Sequence, residues 1–516
     1  MSQKLINRNN ASSNYILPSP IGGLNARDSL DSMEITDAIV MDNYLPSENK
    51  VVLRKGYISY VNLGSRISSL IEYRKPGSDR FFACGSGKIW DISNKEKIKE
   101  VGSDFSHNYW QYVQFKDRLI LVNGYDNPQV FHISDDGDTW QEASFEGINL
   151  QNFKLVNVTV SKQRLFFVEK GSLNAWYSQG VGEVQGTLVK FDLSSIFRKG
   201  GELLTIASWT QDAGHGVDDL TVFITSEGEV AVYGGNDPGD ASDWSLRGVY
   251  QISKPIGYRC AMQYQGDIVI ISEDGYLPMS KALSIDKANS SQVSFSDKIR
   301  GLVLERTRQS KDKQGWQSII YSRGGYAIFN VPVSQQFEQH VVNVNNGAWC
   351  RFTGIRSFCW GTFLSRLYFG SDEGVFLFDE GYSDNGVHIY GLVEQAYSDF
   401  GNPNLKRIQL INPRTKSSTQ YALVVYTNMD FSSQNYNYAE NIGADGSYKW
   451  QKTPWSSLSN PIGSKWATLK GQIRSQWIGN SATGFKASVV FKTKTKGNLI
   501  EWFDTGVRYE QGCSIM

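Results

Sequence analysis

Residues Arg366 to Phe378 read R-L-Y-F-G-S-D-E-G-V-F-L-F and set the expectation for the fold of the whole chain. Apolar and aromatic residues stand on both sides of a Ser-Asp-Glu-Gly turn, which is the pattern of two short antiparallel strands joined in a hairpin. The same outline begins at six earlier residues: Arg80, Asp117, Arg164, Asp219, Asp267 and Gln317. The seven starts are separated by 37, 47, 55, 48, 50 and 49 residues. A period of about 40 to 50 residues is typical of one four-stranded blade, so the repeat predicts a β-propeller.

The composition favours an all-β protein with a large core. Hydrophobic residues make up 40% and aromatic residues 13% of the 516 positions, which is enough to bury a sizeable interior. The 49 glycines against 13 prolines suit many tight turns. Lys plus Arg equal Asp plus Glu at 52 each, so net charge gives no whole-chain attraction to nucleic acid or to an acidic membrane. Any contact with DNA would therefore be local.

The chain is expected to divide into three segments. Residues 1–50 form an N-terminal arm and irregular lead-in, residues 51–381 form the β-propeller, and residues 386–516 form a C-terminal antiparallel domain resembling a β-sandwich. The seven hairpins favour seven blades, and one hairpin lying in an insertion would leave six. Val51 to Val61 alternates as a strand does, and we expect it to close the ring by pairing with a blade from the other end of the chain.

One turn carries a more specific signal for the propeller. The run D135-D-G-D-T-W140 matches the core of an Asp box, a hairpin turn found in many propellers. Asp135 is expected to bond backbone amides of the turn, Gly137 to take a backbone conformation closed to other residues, and Trp140 to pack the turn against its blade. Thr139 completes the motif, which predicts fold and carries no catalytic content.

The motifs of common enzymes and metal sites are missing from the sequence. The five histidines show no metal-binding spacing, and no phosphate loop or nucleophile elbow is present, so we predict neither a cofactor nor an enzyme. The loop of residues 236–240 is only a weak match to a calcium site. Distant carboxylates can still meet in a folded glycosidase, so a carbohydrate-active propeller is the alternative. Five scattered cysteines predict free, buried thiols: Cys84, Cys260, Cys350, Cys359 and Cys513.

The sequence also predicts where the chain is made. Its first ten residues lack the apolar core of a signal peptide, and no apolar run reaches the length of about 18 residues that a membrane helix needs. We therefore expect synthesis in the cytoplasm and no membrane span.

A basic strand stands near the C-terminus. In K486-A-S-V-V-F-K-T-K-T-K496, cations alternate with neutral residues at Lys492, Lys494 and Lys496, so one face of the strand is basic. Together with Lys486, these side chains could meet DNA phosphates in a lumen, or they could protect an exposed edge strand from aggregation. The pattern alone favours the edge strand.

Short motifs at both ends of the chain resemble one family. At the start stand Pro20-Ile-Gly-Gly-Leu-Asn25, Met41-Asp-Asn-Tyr-Leu-Pro46 and Leu53-Arg-Lys-Gly56. Near the end stand Tyr426-Thr-Asn-Met-Asp430, a Trp-containing stretch through Trp466, Gly471-Gln-Ile-Arg474 and a β segment to Val507. With these motifs the chain resembles the tail hub or nozzle proteins of short-tailed bacteriophages, the group that includes packaged-DNA stabilisation proteins. The pattern departs at Phe431, where a glycine is more usual.

The resemblance implies a structural virion protein of the phage tail, assembled in the host cytoplasm and without catalysis. Six copies would form a ring that continues the DNA channel below the portal and adaptor and retains packaged DNA until ejection. Implied partners are further copies, the adaptor and portal, tail fibre or needle proteins, and passing double-stranded DNA. Residues 1–56 and 386–516 would form the platform that contacts these partners. The implied assembly contacts are Pro20, Gly22, Gly23, Asn25, Asn43, Pro46, Arg54 and Gly56. A propeller that docks a receptor or fibre is a second alternative.

Overall fold

The computed structural model describes residues 12–135, 137–212, 217–282, 294–333, 336–418, 421–432 and 472–512. Within these ranges the chain forms forty strands, two α-helices and one short 3₁₀ helix, so the predicted all-β class is confirmed. None of the helices in the described ranges is long and apolar enough to cross a membrane. The chain divides into two compact units. The terminal unit comprises residues 1–58, 340–353 and 379–516, and the propeller unit comprises residues 59–339 and 354–378.

The strands follow one another along the chain with short connections. The first five are β1 (Ser12–Pro18), β2 (Gly23–Leu24), β3 (Asp37–Asp42), β4 (Tyr44–Pro46) and β5 (Val51–Leu53). The next ten are β6 (Tyr57–Asn62), β7 (Ser69–Tyr73), β8 (Arg80–Gly85), β9 (Lys88–Asp91), β10 (Lys99–Gly102), β11 (Gln111–Phe115), β12 (Arg118–Val122), β13 (Gln129–Ser134), β14 (Gly137–Glu142) and β15 (Phe145–Glu146). Then come β16 (Leu155–Ser161), β17 (Arg164–Glu169), β18 (Asn174–Ser178), β19 (Gly186–Asp192), β20 (Leu203–Asp212), β21 (Val217–Thr225), β22 (Glu229–Gly234), β23 (Ser245–Gln251), β24 (Ala261–Tyr264), β25 (Asp267–Ser272) and β26 (Gly275–Pro278).

Two helices follow β26 and precede the last strands. They are α1 (Met279–Ala282) and α2 (Arg300–Ser310), and the 3₁₀ helix Asp297–Ile299 leads into α2. The remaining strands are β27 (Gln317–Tyr321), β28 (Tyr326–Val333), β29 (Gln336–Asn343), β30 (Trp349–Thr353), β31 (Cys359–Phe363), β32 (Arg366–Gly370), β33 (Gly374–Phe378), β34 (Ile389–Gln395), β35 (Lys406–Ser417), β36 (Ala422–Met429), β37 (Gln472–Ser475), β38 (Ile478–Gly484), β39 (Ala487–Thr495) and β40 (Ile500–Gln511).

Six separate sheets form the blades of the β-propeller. Five are β7–β10, β11–β14, β16–β19 with β15 added in parallel beside β19, β20–β23 and β24–β26, and the sixth is β31–β33 completed by β6. The seventh predicted hairpin, β27 with β28, also forms, but it belongs to a larger sheet of nine strands. All seven repeats thus form hairpins. Six separate blades are present, which is the alternative to seven blades that the sequence allowed.

Strand β6 closes the ring. It hydrogen-bonds to β33 as the fourth strand of the last blade, which removes the open edge that a propeller would otherwise leave. The prediction of one continuous strand from Val51 to Val61 is wrong, because the chain breaks at residues 54–56 into β5 and β6. Only the second part closes the ring, while β5 pairs with β4 and β40.

The terminal unit is a sandwich of two sheets that draws on both ends of the chain. One sheet has the order β37-β35-β40-β5-β4, with β1 also beside β40 and β38 beside β35, and the other contains β30-β2-β3-β34-β39-β36. Between them, the Phe491 ring stacks on Trp502 at 4.4 Å and meets Tyr44 edge-on at 5.9 Å. The Tyr44 hydroxyl also bonds Thr493 Oγ1 at 2.8 Å. The unit therefore includes residues 1–58 and 340–353, where the sequence analysis placed a separate C-terminal domain at 386–516.

The core of this sandwich generates the first prediction. Phe491→Ala removes a fully buried ring between the two sheets, and we expect it to lower the free energy of unfolding by about 3–5 kcal/mol. The matched control is Phe485→Ala, because Phe485 lies in the same unit with 54% of its surface exposed and should change stability by no more than about 0.5 kcal/mol. Urea unfolding of the full chain measures both, and equal losses in the two variants would contradict the sandwich core.

Candidate functional site

A cavity lies where the first strands of four successive blades meet. It is open to solvent and has a volume of about 340 Å³. Its walls come from β11, β16, β20 and β24, with one residue of β25. The lining residues are Val113, Asn157, Val158, Thr159, Val160, Thr205, Ile206, Ala207, Ser208, Ala261, Met262, Gln263 and Ile268. None of these thirteen carries an ionisable side chain, so the cavity offers hydrogen-bonding and apolar groups without a general acid or base.

Arg259 links three blades close to this cavity. Its guanidinium nitrogens donate to the Trp110 carbonyl oxygen at 2.7 Å, to Ser69 Oγ at 2.6 Å and to the Ser68 carbonyl oxygen at 3.2 Å. The same group lies 3.6 Å from the centre of the Tyr109 ring. Burial raises the pKa of Tyr109, and the Arg259 charge partly offsets that rise. Arg259 therefore acts as a clamp between blades that are not neighbours in sequence.

Two carboxylates on connecting loops of the propeller unit, Glu202 and Asp126, are already engaged in hydrogen bonds. Glu202 Oε2 accepts the Tyr258 hydroxyl at 3.2 Å. Asp126 accepts hydrogen bonds from Ser106 Oγ at 2.6 Å and Asn123 Nδ2 at 2.6 Å. Burial acts to raise the pKa of Asp126, but these hydrogen bonds outweigh it and hold the pKa below its usual value. Asp126 is thus a charged acceptor that organises its turn, and its protonated form is not populated at neutral pH.

Four of the predicted free thiols are unpaired and buried, namely Cys84, Cys260, Cys350 and Cys359, which confirms that part of the sequence analysis. Cys513 lies outside the described residues. Burial raises the pKa of Cys260 and that of Cys359 to about 12. In the described part of the chain, no three His, Cys, Asp or Glu side chains gather as a metal site would require.

The Asp-box residues lie at the hairpin of β13 and β14. Gly137 has a φ of +118°, a conformation that favours glycine, as the motif predicts. Asp135 is exposed at the turn and makes no side-chain hydrogen bond to any residue that the structure describes. Ser134 Oγ instead donates to the Gly137 carbonyl oxygen at 3.1 Å. Thr139 lies opposite His132 in the ladder.

Trp140 packs this hairpin against two blades. Its ring lies 5.2 Å from Phe131 in the same blade and 5.0 Å from Phe82 in the preceding blade. Beside it, Arg80 Nε pairs with Asp138 Oδ2 at 2.9 Å across the same gap. The motif's tryptophan therefore packs between blades as well as onto its own, which goes beyond the packing predicted from the sequence.

The predicted assembly residues form internal contacts of the terminal unit. Arg54 is buried and holds Asp384 through two nitrogens, at 2.8 and 2.6 Å, while its Nε donates to Asn43 Oδ1 at 2.8 Å. Asn43 has a φ of +62°, and its Nδ2 donates to the Tyr390 carbonyl oxygen at 2.8 Å and to Thr353 Oγ1 at 2.9 Å. These two residues therefore join the lead-in to three other segments of the chain.

The terminal unit also buries Asn25, Pro20 and Pro46. Asn25 Nδ2 donates to Asp37 Oδ2 and Asp28 Oδ2, both at 2.8 Å, so it fixes the loop between β2 and β3. Pro20 and Pro46 are buried. Their role within one chain is internal, and contact with other copies or with an adaptor stays a prediction.

The three glycines of these motifs stand where a neighbouring segment passes closely. A Cβ added at Gly56 would collide with the backbone of Ser383, and one added at Gly22 would meet the Thr36 carbonyl oxygen. Gly23 combines a φ of +82° with the backbone of Trp349 within contact distance, so both space and conformation require glycine there. Each motif residue thus has a local packing reason.

The predicted lysines do not lie on an edge strand. Strand β39 has β34 on one side and β36 on the other, so the interpretation of an edge that needs protection is wrong. Lys492 and Lys494 lie on one face, with Tyr390 opposite Lys494. Lys494 Nζ is 5.7 Å from the Tyr390 ring centre, and Lys492 Nζ is 5.4 Å from that of Tyr426. We call Lys492, Lys494, Tyr390 and Tyr426 the basic face.

The two remaining lysines flank this strand. Lys496 is exposed just beyond its end, and Lys486 precedes its start, paired with Asp31. His388 lies near Lys494 and Lys496. Burial lowers the pKa of His388, and the charges of these two lysines lower it further. Cations interleaved with aromatic rings on a sheet suit phosphate groups without reading a sequence, so this arrangement can bind a polyanion.

Comparison with known proteins gives only distant structural likenesses. No family model matches the chain, and no curated protein is similar to it. BBS1N, solved in complex with ARL6DN, is 9% identical with a TM-score of 0.37, over 69% of this chain and 95% of that one. Sqt1 of Chaetomium thermophilum is 12% identical with a TM-score of 0.36, over 66% and 82%. An exo-β-1,3-galactanase of Phanerochaete chrysosporium is 9% identical with a TM-score of 0.30, over 79% and 97%.

These likenesses carry no argument about function, because both the identities and the TM-scores are low. The expected absence of catalysis stays a prediction. Neither the cavity nor the role of Arg259 is predictable from the sequence pattern. The cavity residues come from several strands in which apolar and polar residues alternate as usual. Nothing in the local sequence distinguishes these residues from others in the blades.

The buried ion pair of the terminal unit gives the second prediction. Arg54→Ala leaves Asp384 buried without its cation, and we expect the free energy of unfolding to fall by about 3–5 kcal/mol. Arg54→Lys should recover only part of this, since a lysine cannot reproduce the two-nitrogen geometry.

The control for this ion pair is exposed. Arg414 pairs with Asp504 with 52% of its side chain accessible, so Arg414→Ala should cost about 0–1 kcal/mol. Thermal and urea unfolding measure the three variants. Equal destabilisation by Arg54→Ala and Arg414→Ala would show that the buried pair does not hold the lead-in.

The third prediction concerns His388. Because the Lys494 charge helps to lower the His388 pKa, Lys494→Gln should raise it toward the value of an isolated histidine. Titration followed by NMR of labelled histidine rings measures the shift.

Lys486→Gln is the matched control, because Lys486 stands eight residues earlier, roughly 26 Å away along an extended strand. It should leave the His388 pKa unchanged. A fall in the pKa with Lys494→Gln would mean that the lysine does not face His388.

Proposed function

We propose that the chain is a structural protein of a short phage tail, a tail hub or nozzle. In this role its copies form a ring, extend the DNA channel below the portal and adaptor, and retain packaged DNA until ejection. The virion is then its location. The observation that carries the proposal is that the motif-bearing segments from both ends of the chain share one compact unit, residues 1–58 with 379–516.

The terminal unit supports an assembly role through its construction. Arg54, Asn43 and Asn25 use their polar groups inside this unit, and Phe491 packs its two sheets together. A sandwich built in this way is a rigid body, which is what a protein needs when neighbouring copies must contact it in a fixed geometry. The residues that resemble the family would then act by fixing the shape of the platform.

The basic face supports contact with passing DNA. Lys492 and Lys494 extend along one strand, with Tyr390 45% exposed beside them. Contacts of this kind attract phosphates regardless of sequence and weaken as salt concentration rises. Such binding would slow a polyanion without trapping it, as retention followed by ejection demands.

The fourth prediction tests the proposal in the native particle. Purified virions of the phage that encodes the chain should contain about six copies, the number that the family resemblance implies and a closed ring allows. Negative-stain images with an antibody against the chain should place it in a ring at the tail. Absence of the chain from purified particles would overturn the proposal.

Truncations add a second test with a built-in control. A chain that lacks residues 1–50 loses β1 to β4 from the terminal unit and should fail to join tails. A chain with the Asp-box residue Thr139 changed to Ser keeps both units and should still join them. Incorporation of the truncated chain would count against the platform role of the terminal unit.

A further inference from the structure

Four polar side chains of the propeller unit line the cavity and are available for hydrogen bonds there. Thr159, Thr205, Ser208 and Gln263 line it, and none of the four makes a side-chain hydrogen bond to another residue in the described ranges. Thr205 is 94% buried, with a relative exposure of 6%. Its hydroxyl is nevertheless accessible from the cavity, where it can meet water or the polar group of a ligand.

Two backbone irregularities deliver residues to this cavity. The ladder of β16 with β17 shifts register between Leu155 and Asn157, and the ladder of β20 with β21 shifts between Leu203 and Thr205. Each shift is a β-bulge, which redirects the side chains that follow it and is common beside functional sites. In both strands the first residue after the bulge, Asn157 or Thr205, lines the cavity.

The two bulges are coupled by one side chain. Asn157 Nδ2 donates to the carbonyl oxygen of Leu204, the residue within the second bulge, at 3.2 Å. The same group donates to the Tyr258 carbonyl oxygen at 3.1 Å. Asn157 Oδ1 accepts the Val158 amide at 2.8 Å. The Asn157 amide is therefore engaged in holding the wall, whereas the Thr205 hydroxyl is accessible from the cavity and can meet a ligand.

We propose that this cavity binds a small neutral polyhydroxylated ligand, either a monosaccharide or a polyol. Hydroxyl and amide groups can both donate to and accept from sugar hydroxyls. Val113, Val160 and Ile206 provide apolar wall for the carbon skeleton. The volume of about 340 Å³ lies at the lower end of the range for small-molecule sites.

The absence of charge in the lining sets the specificity. None of the thirteen lining residues could neutralise a carboxylate, a phosphate or an ammonium group, so an ionised ligand would lose its hydration without compensation. None could act as the paired carboxylates of a glycosidase. The site therefore binds its ligand without hydrolysing it. This inference does not depend on the proposed tail function, because every residue that carries it lies in the propeller unit.

Isothermal titration of the full chain with glucose, galactose and glycerol tests the proposal. We expect saturable binding of at least one of them, with a dissociation constant in the millimolar range. Gluconate, a charged analogue of glucose, should bind at least about tenfold more weakly. Thr205→Val keeps the shape of the side chain and removes the hydroxyl, and it should weaken binding by about tenfold. Ala207→Phe fills the cavity and should abolish binding.

The matched control is Thr187→Val, which makes the same change on the outer strand β19, away from the cavity, and should bind as the unmodified chain does. Thermal unfolding checks that each variant is folded, and Ser208→Ala replaces Ala207→Phe if the latter does not fold. If none of the three neutral ligands gives saturable heat, the proposal is overturned and the cavity is filled by water alone. Binding unchanged in Thr205→Val and in the cavity-filling variant, or equal affinity for gluconate, would also overturn it.

Discussion

The hydrogen-bond ladder between β6 and β33 is the constraint on which the architecture depends. Without β6 the last blade would keep an open edge, and the ring would have no closure. The strand comes from the N-terminal side of the chain and its partner from more than three hundred residues later. Directly beside it, Gly56 N donates to the Gly381 carbonyl oxygen at 3.0 Å and Tyr57 N to that of Ser383 at 3.1 Å. The segments that leave the ring therefore start side by side, and one sandwich forms from both.

Local sequence patterns were sufficient to predict the propeller. They did not predict which strands pair when the strands lie far apart in the chain. Every predicted hairpin is present, because a turn between alternating apolar runs is decided within about ten residues. The division of the chain into two units depends on the pairing of β5 with β40. No local sequence pattern indicates that pairing. Helix α2 was not predicted from the sequence, and its buried residues are Val303, Thr307 and Ser310. Only one of these three is apolar, so the helical period is hidden.

For the candidate sites as well, local features could be predicted from the sequence, but features that depend on distant strand pairing could not. The alternation of Lys492 and Lys494 was visible in the sequence, and both lie on one face as the strand period requires. Their position inside a sheet was not visible, because sheet order depends on which other strands pair on either side. Thr205 reaches its cavity through a bulge, and an extra residue in one strand is recognised only against its partner.

The four buried thiols have low chemical reactivity in the folded protein. Thiolate is the form that reacts with oxidants and alkylating reagents, and the raised pKa values of Cys84, Cys260, Cys350 and Cys359 keep the neutral form dominant. While the units stay folded, these four side chains should therefore be slow to form disulfides or to be alkylated. Because three of these cysteines lie in the propeller unit and Cys350 in the terminal unit, the order in which they become reactive would report which unit opens first.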